Sequence, residues 1–317
     1  MRAFIFPGQG SQAVGMGKAL AEAFAPAREV FQEVNEALSQ QLSRLMWDGP
    51  ESDLILTENA QPAIMAASMA VIRVLQREAG LDFARHARLV AGHSLGEYTA
   101  LCAAGAFTLG DAARLLKIRG RAMQEAVPVG VGAMIALIGA DVALAEEAAR
   151  DAVAAATETD PVCVVANDNA PGQVVISGRK ATVERAGEIA KTKGVKRALP
   201  LAVSAPFHCS LMKPAADKMA EALAAVTIRS PAVPLIANVT AAETNEPETI
   251  RNLLVEQVTA RVRWRESVLA FRNAGVELTV EAGGNKVLTG MVKRIDKELA
   301  NSTLDTRADI EAFARTL

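Results

Sequence analysis

The sequence contains few aromatic side chains and carries almost no excess charge. Aromatic residues make up 4% of the 317 positions, with two tryptophans and one tyrosine. Lysine and arginine total 34 against 36 aspartates and glutamates, which gives a formal net charge of −2 at pH 7. Proteins that bind nucleic acid typically have basic patches and aromatic surfaces on which bases stack. We therefore do not expect a nucleic-acid partner.

Cysteine and histidine are also scarce, with three residues of each type. Cys102, Cys163 and Cys209 are widely spaced among apolar residues, and the sequence has no Cys-x-x-Cys or His-x-x-x-His pair. Scattered cysteines in odd number are typical of buried thiols in a reducing compartment, and zinc sites need clustered ligands. We expect no metal site, no disulfide framework and a cytoplasmic protein.

Long hydrophobic runs are missing, although half of all residues are hydrophobic. No apolar segment approaches the roughly 20 residues that a helix needs to span a bilayer. The apolar part of residues 1–7 is too short for a signal peptide. The length suits one large domain or two ordinary ones, so we predict a globular protein with a sizeable core and no membrane segment.

The pattern Gly92-x-Ser94-x-Gly96 lies between a predicted buried strand, 88–91, and a predicted helix, 98–105. A strand that turns sharply into a helix needs glycines where the two elements nearly touch. The serine of such a turn presents its hydroxyl at the helix N-terminus, and the amide of Leu95 points to where an oxyanion would form. The pattern predicts that Ser94 is a nucleophile, and the alternative is an ordinary tight turn.

A serine nucleophile needs a neighbouring base, and the three histidines are the candidates. His86 stands in a polar stretch and is predicted to lie at the surface. The side chain of His93 points away from that of Ser94, so we interpret it as a packing or hydrogen-bonding residue. His208 opens a predicted helix downstream of the serine, in the order that elbow-type enzymes have. We predict that His208 is the base, oriented by a backbone carbonyl, because no acidic partner stands out.

Two further segments allow either a structural or a functional interpretation. The loop 7–12 follows a predicted strand, 3–6, and would lie near Ser94 in a parallel sheet, because ligands bind beyond the carboxyl ends of parallel strands. A predicted helix, 109–125, carries four basic residues: Arg114, Lys117, Arg119 and Arg121. Basic residues on helices are usually solvated, so the pattern alone assigns no role to them.

From residue 131 the pattern changes to short strands and helices in the order βαββαβ, which is typical of ferredoxin-like units. We predict strands at 132–139, 162–167, 173–177 and 197–203, and helices at 142–156 and 182–193. Residues 167–172 are predicted to form a turn, and residues 286–300 the last helix. We therefore predict an α/β protein in which 1–127 and 204–317 form the larger unit and 128–203 an inserted small subdomain.

Five motifs occur together and in order along the chain. They are Gly8-Gln9-Gly10-Ser11-Gln12, Gly92-His93-Ser94-Leu95-Gly96-Glu97, Arg119-Gly120 ahead of Gly132-Ala133-Met134, Ala205-Pro206-Phe207-His208, and Gly283-x-x-Lys286-Val287-Leu288. This combination closely resembles the malonyl-CoA:acyl carrier protein transacylases of bacterial fatty acid synthesis, over about residues 3–295. The same fold serves as the acyltransferase domain of polyketide synthases. The resemblance implies an α/β-hydrolase-like core with a parallel sheet and an inserted ferredoxin-like subdomain.

The resemblance also implies roles for individual residues. Ser94 would be the nucleophile and His208 the base, and Gln9 with the amide of Leu95 would form the oxyanion hole. Arg119 would bind the free carboxylate of the malonyl group, because a guanidinium can grip a carboxylate through two parallel hydrogen bonds.

Three more positions match the family with supporting roles. Gln257 falls where the family has a glutamine whose backbone carbonyl orients the histidine, and His93 and Asn167 match positions that line the cleft. Ala260-Arg261 departs from the serine or asparagine followed by proline that the family often has there. Gly284-Asn285 replaces a common Pro-Gly.

The implied activity moves a malonyl group from malonyl-CoA to the phosphopantetheine thiol of acyl carrier protein through a malonyl-serine intermediate. It needs no cofactor, and we expect a monomer. Alternatives are a serine hydrolase on the same elbow, an acyltransferase serving a polyketide synthase, a malonate decarboxylase subunit, and a scaffold with a relic site. A basic cluster is either a solvated helix end or a docking surface for an acidic carrier protein: Lys191, Lys193, Lys196 and Arg197.

Overall fold

Two separate β-sheets organise the fold, and a computed structural model describes all 317 residues. The larger sheet contains β1 (Arg2–Phe6), β2 (Leu89–Gly92), β7 (Leu235–Ile236), β8 (Glu243–Thr244), β9 (Leu278–Ala282) and β10 (Ala300–Leu304). The smaller sheet contains β3 (Gly132–Ile138), β4 (Cys163–Ala170), β5 (Gln173–Arg179) and β6 (Arg197–Pro200).

Fifteen α-helices surround the sheets. They are α1 (Lys18–Ala23), α2 (Ala25–Leu38), α3 (Leu42–Asp48), α4 (Glu51–Leu54), α5 (Thr57–Glu78), α6 (Phe83–His86), α7 (Gly96–Ala103), α8 (Leu109–Glu125), α9 (Val142–Ala154), α10 (Lys180–Thr192), α11 (Lys213–Ala224), α12 (Pro247–Glu256), α13 (Trp264–Asn273), α14 (Val287–Ile295) and α15 (Arg307–Ala314). A 3₁₀ turn, Ser210–Met212, precedes α11.

The larger sheet has the strand order β10-β9-β1-β2-β7-β8, and all its pairs are parallel except β7 with β8. β1 and β2 are neighbours, with Phe6 opposite Gly92 at their carboxyl ends. The loop after β1 and the turn after β2 therefore leave the sheet side by side. This parallel arrangement is the one that the sequence analysis required for the two segments to meet.

The smaller sheet is antiparallel throughout, in the order β4-β5-β3-β6. Along the chain its elements follow the predicted order βαββαβ, with α9 and α10 between the strands. These two helices and the sheet enclose a separate apolar cluster of 15 buried residues. The face of the small sheet that α9 and α10 cover therefore has its own core, whereas Met134, Ala136, Ala166 and Val175 of the same sheet belong to the larger cluster.

The long helix α5 shows why the larger unit is stable. Seventeen of its 22 residues are buried, most of them alanine, methionine and branched aliphatic residues, so it packs on several sides rather than on one stripe. α8 packs against α5 and has the predicted bounds. Its N-cap is Thr108, whose hydroxyl accepts from the amide of Asp111.

Several predicted bounds are wrong. The strand expected at 197–203 ends at Pro200. The turn expected at 167–172 is shorter, because β4 continues to Ala170 through two irregularities in its pairing with β5. The last helix ends at Ile295 instead of 300, and β10 and α15 follow it. Asparagine and aspartate favour turns, and alanine and lysine favour helices. Pairing with a neighbouring strand overrides these local preferences.

The three cysteines are buried free thiols, as predicted. None of the helices combines the length and the apolarity that a membrane crossing requires.

Candidate active site

The turn around Ser94 is the tightest point of the larger unit. β2 ends at Gly92 and α7 begins at Gly96, and Ser94 between them has a φ of 54°. A Cβ on Gly92 would lie 1.9 Å from the backbone of Gly96, and one on Gly96 would lie 2.2 Å from the carbonyl oxygen of Phe6. Both glycines are therefore required by close backbone approach, and a serine in this left-handed region costs roughly 1–2 kcal/mol.

His208 lies in contact with the hydroxyl of Ser94. Its Nε2 is 2.8 Å from Ser94 Oγ, and its Nδ1 is 2.9 Å from the carbonyl oxygen of Gln257 and 3.1 Å from that of Ala260. Two carbonyl acceptors require a proton on Nδ1, which leaves the Nε2 lone pair facing the serine hydroxyl. The structure thus places Ser94, His208 and Gln257 in the arrangement of a nucleophile, a base and an orienting carbonyl.

The environment keeps His208 neutral. The ring is 4% exposed, and burial together with the nearby charge of Arg119 lowers its pKa to about 3. A neutral imidazole can accept a proton from Ser94 at physiological pH, whereas an imidazolium cannot.

Arg119 is the only basic residue of α8 that turns away from water. Its side chain is 1% exposed, and Nη1 donates to Gln61 Oε1 at 2.8 Å. Nη2 donates to Gln257 Oε1 at 2.9 Å and to Ser94 Oγ at 3.1 Å, while Nε has no acceptor. All these partners are neutral, so a buried positive charge lies beside Ser94 without a bonded carboxylate.

The other basic residues of α8 follow the ordinary pattern for helices. Arg114 pairs with Asp111, and Lys117 and Arg121 both pair with Glu58 at the surface. The general expectation for basic residues on this helix is therefore correct for these three and wrong for Arg119. Sequence periodicity does not separate Arg119 from the other three basic residues, whereas the family resemblance did.

Two backbone amides near Ser94 form no hydrogen bond. The N–H groups of Gln9 and Leu95 donate to no acceptor in the protein, and both residues line the cavity that contains Ser94. The side-chain oxygen of Gln9 accepts from the hydroxyl of Thr57 at 2.9 Å, which fixes the loop after β1. Two unused donors at the carboxyl ends of adjacent strands can donate hydrogen bonds to a developing oxyanion.

A cavity of about 500 Å³ extends from Ser94 towards the small sheet. His93 and Asn167 both line it, as the resemblance implied. His93 Nε2 is bonded to Asn169 Oδ1 at 2.8 Å, and burial lowers its pKa. His93 therefore faces the small sheet and not the nucleophile, while His86 is held by the amide of Asp82 in α6.

A wider groove of about 830 Å³ is also lined by His208, together with charged side chains such as Lys213, Arg261 and Glu266. Ser94 does not line it. Because Ser94 lines the smaller cavity and not this groove, we take the 500 Å³ cavity as the candidate site.

Three buried polar residues at the site were missed by the sequence analysis. Gln61 holds Arg119, and the side chain of Asn238 bridges the elbow by accepting from the amide of Ser94 and donating to the carbonyl of Gly92, both at 2.7 Å. Glu97 accepts from the side chain of Gln257 at 2.8 Å. A polar residue inside an apolar helix was the one signal for Gln61, and Glu97 directly follows the elbow motif.

Comparison with known proteins agrees with this geometry. Residues 3–307 match the acyl transferase domain family. This chain belongs to that family. A malonyl CoA-acyl carrier protein transacylase of Escherichia coli strain K12 is 47% identical over 303 residues, which cover 96% of this chain and 95% of the relative.

Solved acyltransferase structures superpose closely on the chain. An acyl-carrier-protein-S-malonyltransferase from Bartonella henselae is 53% identical, with a TM-score of 0.96 over 99% of this chain and 98% of the other. A malonyl-transacylase in complex with a type II PKS acyl-carrier protein is 43% identical, with a TM-score of 0.94 over 100% of this chain and 99% of the other. The resemblance drawn from the five motifs is thereby confirmed.

Two of the four residues in the basic cluster at the end of α10 are paired with carboxylates. Lys191 pairs with Glu188, and Lys193 pairs with Glu147 and Asp151. Lys196 and Arg197 form no ion pair. The pairing favours a solvated helix end over a docking surface for the first two residues.

Proposed function

We propose that this protein transfers a malonyl group from malonyl-CoA to the phosphopantetheine thiol of an acyl carrier protein. The observation that carries the proposal is the buried guanidinium of Arg119, 3.1 Å from Ser94 Oγ and without a carboxylate partner. A buried cation beside a nucleophile favours an acyl group that brings its own negative charge. The malonyltransferase names of the relatives point to the same substrate.

In the first step His208 Nε2 takes the proton of Ser94, and Oγ attacks the thioester carbonyl carbon. The amides of Gln9 and Leu95 donate to the oxyanion that forms. The tetrahedral intermediate expels the thiolate of coenzyme A, which receives the proton from His208, and a malonyl-serine ester remains.

In the second step the thiol of the carrier protein loses its proton to His208 and attacks the same ester carbonyl. The carbon–oxygen bond to Ser94 breaks, and the proton returns to Oγ through His208. The carboxylate of the malonyl group accepts hydrogen bonds from Arg119 throughout, and this fixes the ester in the cavity and away from a hydrolytic water.

The fold proposed to support this chemistry is an α/β-hydrolase-like core, residues 1–127 and 204–317, with a ferredoxin-like insertion, residues 128–203. The antiparallel order β4-β5-β3-β6 and the separate core of the small sheet support the second part. The strand–elbow–helix geometry around Ser94 supports the first. No step of the proposed reaction requires a cofactor.

Intact-protein mass spectrometry tests the proposal after brief exposure to malonyl-CoA, methylmalonyl-CoA or acetyl-CoA, with Ser94→Ala in parallel. We expect a malonyl adduct on the wild type alone, discharged by holo acyl carrier protein. A folded wild type that forms no adduct with any of the three thioesters would contradict the proposal. Release of free malonate at the same rate with and without carrier protein would instead identify a hydrolase.

The acceptor is open to a second assignment, because a similar transacylase is seen in complex with a type II PKS acyl-carrier protein. Discharge of the adduct by carrier proteins from fatty acid synthesis and from a polyketide synthase, measured side by side, separates the two. We expect faster discharge by the fatty acid carrier.

A further inference from the structure

Glu97 is a buried carboxylate at the centre of the site for which the proposed reaction has no use. It stands in the first turn of α7, three residues after the nucleophile, and is 1% exposed. It forms no ion pair with a lysine or an arginine. Burying a carboxylate is costly unless hydrogen bonds compensate it, so its partners indicate what it does.

A single oxygen of Glu97 accepts two hydrogen bonds. Oε2 lies 2.8 Å from the side-chain Nε2 of Gln257 and 3.1 Å from the backbone amide of Asn238. Both donors belong to segments that contact the reacting groups. The carboxylate therefore joins the elbow helix to the two segments that flank it.

Gln257 is held in one orientation by this contact. Because Nε2 faces Glu97 and the carbonyl oxygen of Ser94, Oε1 must face Arg119, to which it lies at 2.9 Å. The backbone carbonyl of the same residue accepts from His208. A flip of the Gln257 amide would oppose its NH₂ group to the guanidinium, which has only donors.

The backbone amide of Asn238 donates to Glu97, and its side chain bridges the turn around Ser94. Its Oδ1 accepts from the amide of Ser94 and its Nδ2 donates to the carbonyl of Gly92. These bonds stabilise the strained conformation of Ser94. Through two partners, the side chain of Glu97 thus supports the serine, the histidine and the arginine without a hydrogen bond of its own to any of them, although its backbone amide donates to the carbonyl of Ser94.

We infer that Glu97 is a positioning residue, because one of its oxygens accepts hydrogen bonds from both Gln257 and Asn238. Through these two residues it keeps Arg119, His208 and Ser94 in their relative positions. The inference rests on the proposed function. Burial raises the pKa of Glu97 to about 7, against the bonds from Gln257 and Asn238 and the charge of Arg119. Since one oxygen accepts both bonds, the arrangement is compatible with the ionised and the neutral side chain.

Charge and hydrogen bonding make different predictions for two variants. Glu97→Gln keeps an acceptor oxygen of the same reach and removes the ability to ionise, whereas Glu97→Leu keeps the approximate volume and removes the acceptor. Thr99→Val is a matched control on the same helix, because Thr99 is fully buried and its hydroxyl makes no hydrogen bond.

The experiment measures acylation of Ser94 by malonyl-CoA and by acetyl-CoA in single turnovers, with thermal unfolding as the check of folding. We expect Glu97→Leu to lower malonylation at least tenfold and to reduce the malonyl-to-acetyl rate ratio, because Arg119 loses its oriented acceptor. The malonylation rate of Glu97→Gln is expected to remain within threefold of the wild-type rate, and that of Thr99→Val within twofold. If Glu97→Leu does not fold, Glu97→Met, which also lacks an acceptor, is expected to show the same loss.

Three results would overturn the inference. The first is a folded Glu97→Leu enzyme whose malonylation rate is within threefold of the wild-type rate. The second is a Glu97→Gln enzyme that is malonylated as slowly as Glu97→Leu. The third is a loss of malonylation rate in Thr99→Val equal to that in Glu97→Leu. A wild type that is not malonylated at all would instead contradict the proposed function, so the two failures are distinguishable.

Discussion

The two sheets contribute to the site in different ways. The larger, parallel sheet and its connections supply every group within hydrogen-bonding distance of Ser94 Oγ, namely His208 and Arg119. The smaller, antiparallel sheet supplies only walls of the cavity, such as Asn167 and Val175. The proposed chemistry thus depends on groups around the elbow, and the small sheet contributes to the shape of the cavity.

The two sheets are joined by a shared core and by direct backbone contacts, since Met134, Ala136, Ala166 and Val175 of the smaller sheet belong to the largest apolar cluster. A parallel bridge joins Asn167 of β4 to Val262, and hydrogen bonds run from Asp168 N to Val262 O and from Val262 N to Ala166 O. Arg265 adds an ion pair with the buried carboxylate of Asp168. The contrast predicts that changes on the elbow side abolish transfer, whereas changes on the small-sheet side reduce or redirect it.

The largest effect is expected from His208. His208→Ala removes the base and should lower malonyl transfer roughly 10³-fold, the usual contribution of a positioned general base. Steady-state transfer to holo acyl carrier protein measures it. His86→Ala, on the surface helix α6, is the control and should leave the rate unchanged. Equal rates for the two variants would contradict the assignment of the base.

The pH dependence of stability isolates the same residue. The pKa of folded His208 is about 3, below the unfolded value of about 6.5. Between these values the unfolded chain binds a proton that the folded protein does not, so His208 makes stability fall as the pH falls through this window. Urea unfolding at pH 6.5, 5.5 and 4.5 should show the wild type losing about 1.4 kcal/mol per pH unit more than His208→Gln.

The pKa of Glu97 is raised to about 7 in the folded protein. Between its unfolded pKa and this value the folded protein binds the extra proton, so Glu97 makes stability rise as the pH falls, opposite to His208. Glu97 is present in both proteins, and its contribution largely cancels in the difference. Parallel pH profiles for the wild type and His208→Gln would show that His208 is not held neutral.

A smaller effect is expected on the small-sheet side. Asn169→Ala removes the partner of His93 Nε2 at 2.8 Å and leaves Ser94, His208 and Arg119 in place. Malonyl transfer should fall by about tenfold or less, which corresponds to one buried hydrogen bond. A loss as large as that of His208→Ala would show that the small sheet contributes to the chemistry and would end the distinction between the two units.

The smallest effect is expected from the end of α10. Lys191 and Lys193 are already paired with carboxylates, so reversal of both charges should change the Michaelis constant for the carrier protein less than about twofold, as for other exposed pairs. Kinetics at two ionic strengths measure it. An increase of tenfold or more would make this helix end a docking surface.

The sequence predicted the parts of the site that depend on local geometry. The sequence pointed to Ser94 as a candidate because a strand–helix turn without side chains requires Gly92 and Gly96, and to His208 because only three histidines exist. Arg119 could not be separated from its neighbours on α8 by pattern, since burial of one face depends on what packs there. The motif resemblance supplied it.

The remaining misses have a common physical origin in contacts between distant segments. β10 is short and lies at a sheet edge, and its half-buried residues have no clear alternation. Residues 167–170 contain turn-forming side chains, but they are held in β4 by β5 and by Val262. Asn238 lies 144 positions from Ser94 along the chain, so no local pattern could place it.

The central claim is that the buried charge of Arg119 selects a carboxylate-bearing acyl group. Single-turnover acylation by malonyl-CoA and acetyl-CoA, compared between the wild type and Arg119→Met, tests it most directly, with Arg119→Lys as a control that keeps the charge and loses the paired donors. We expect malonylation to fall about 100-fold, the loss of charge-assisted hydrogen bonds worth about 3 kcal/mol, while acetylation changes little. A variant that still prefers malonyl over acetyl groups as strongly as the wild type would contradict the account.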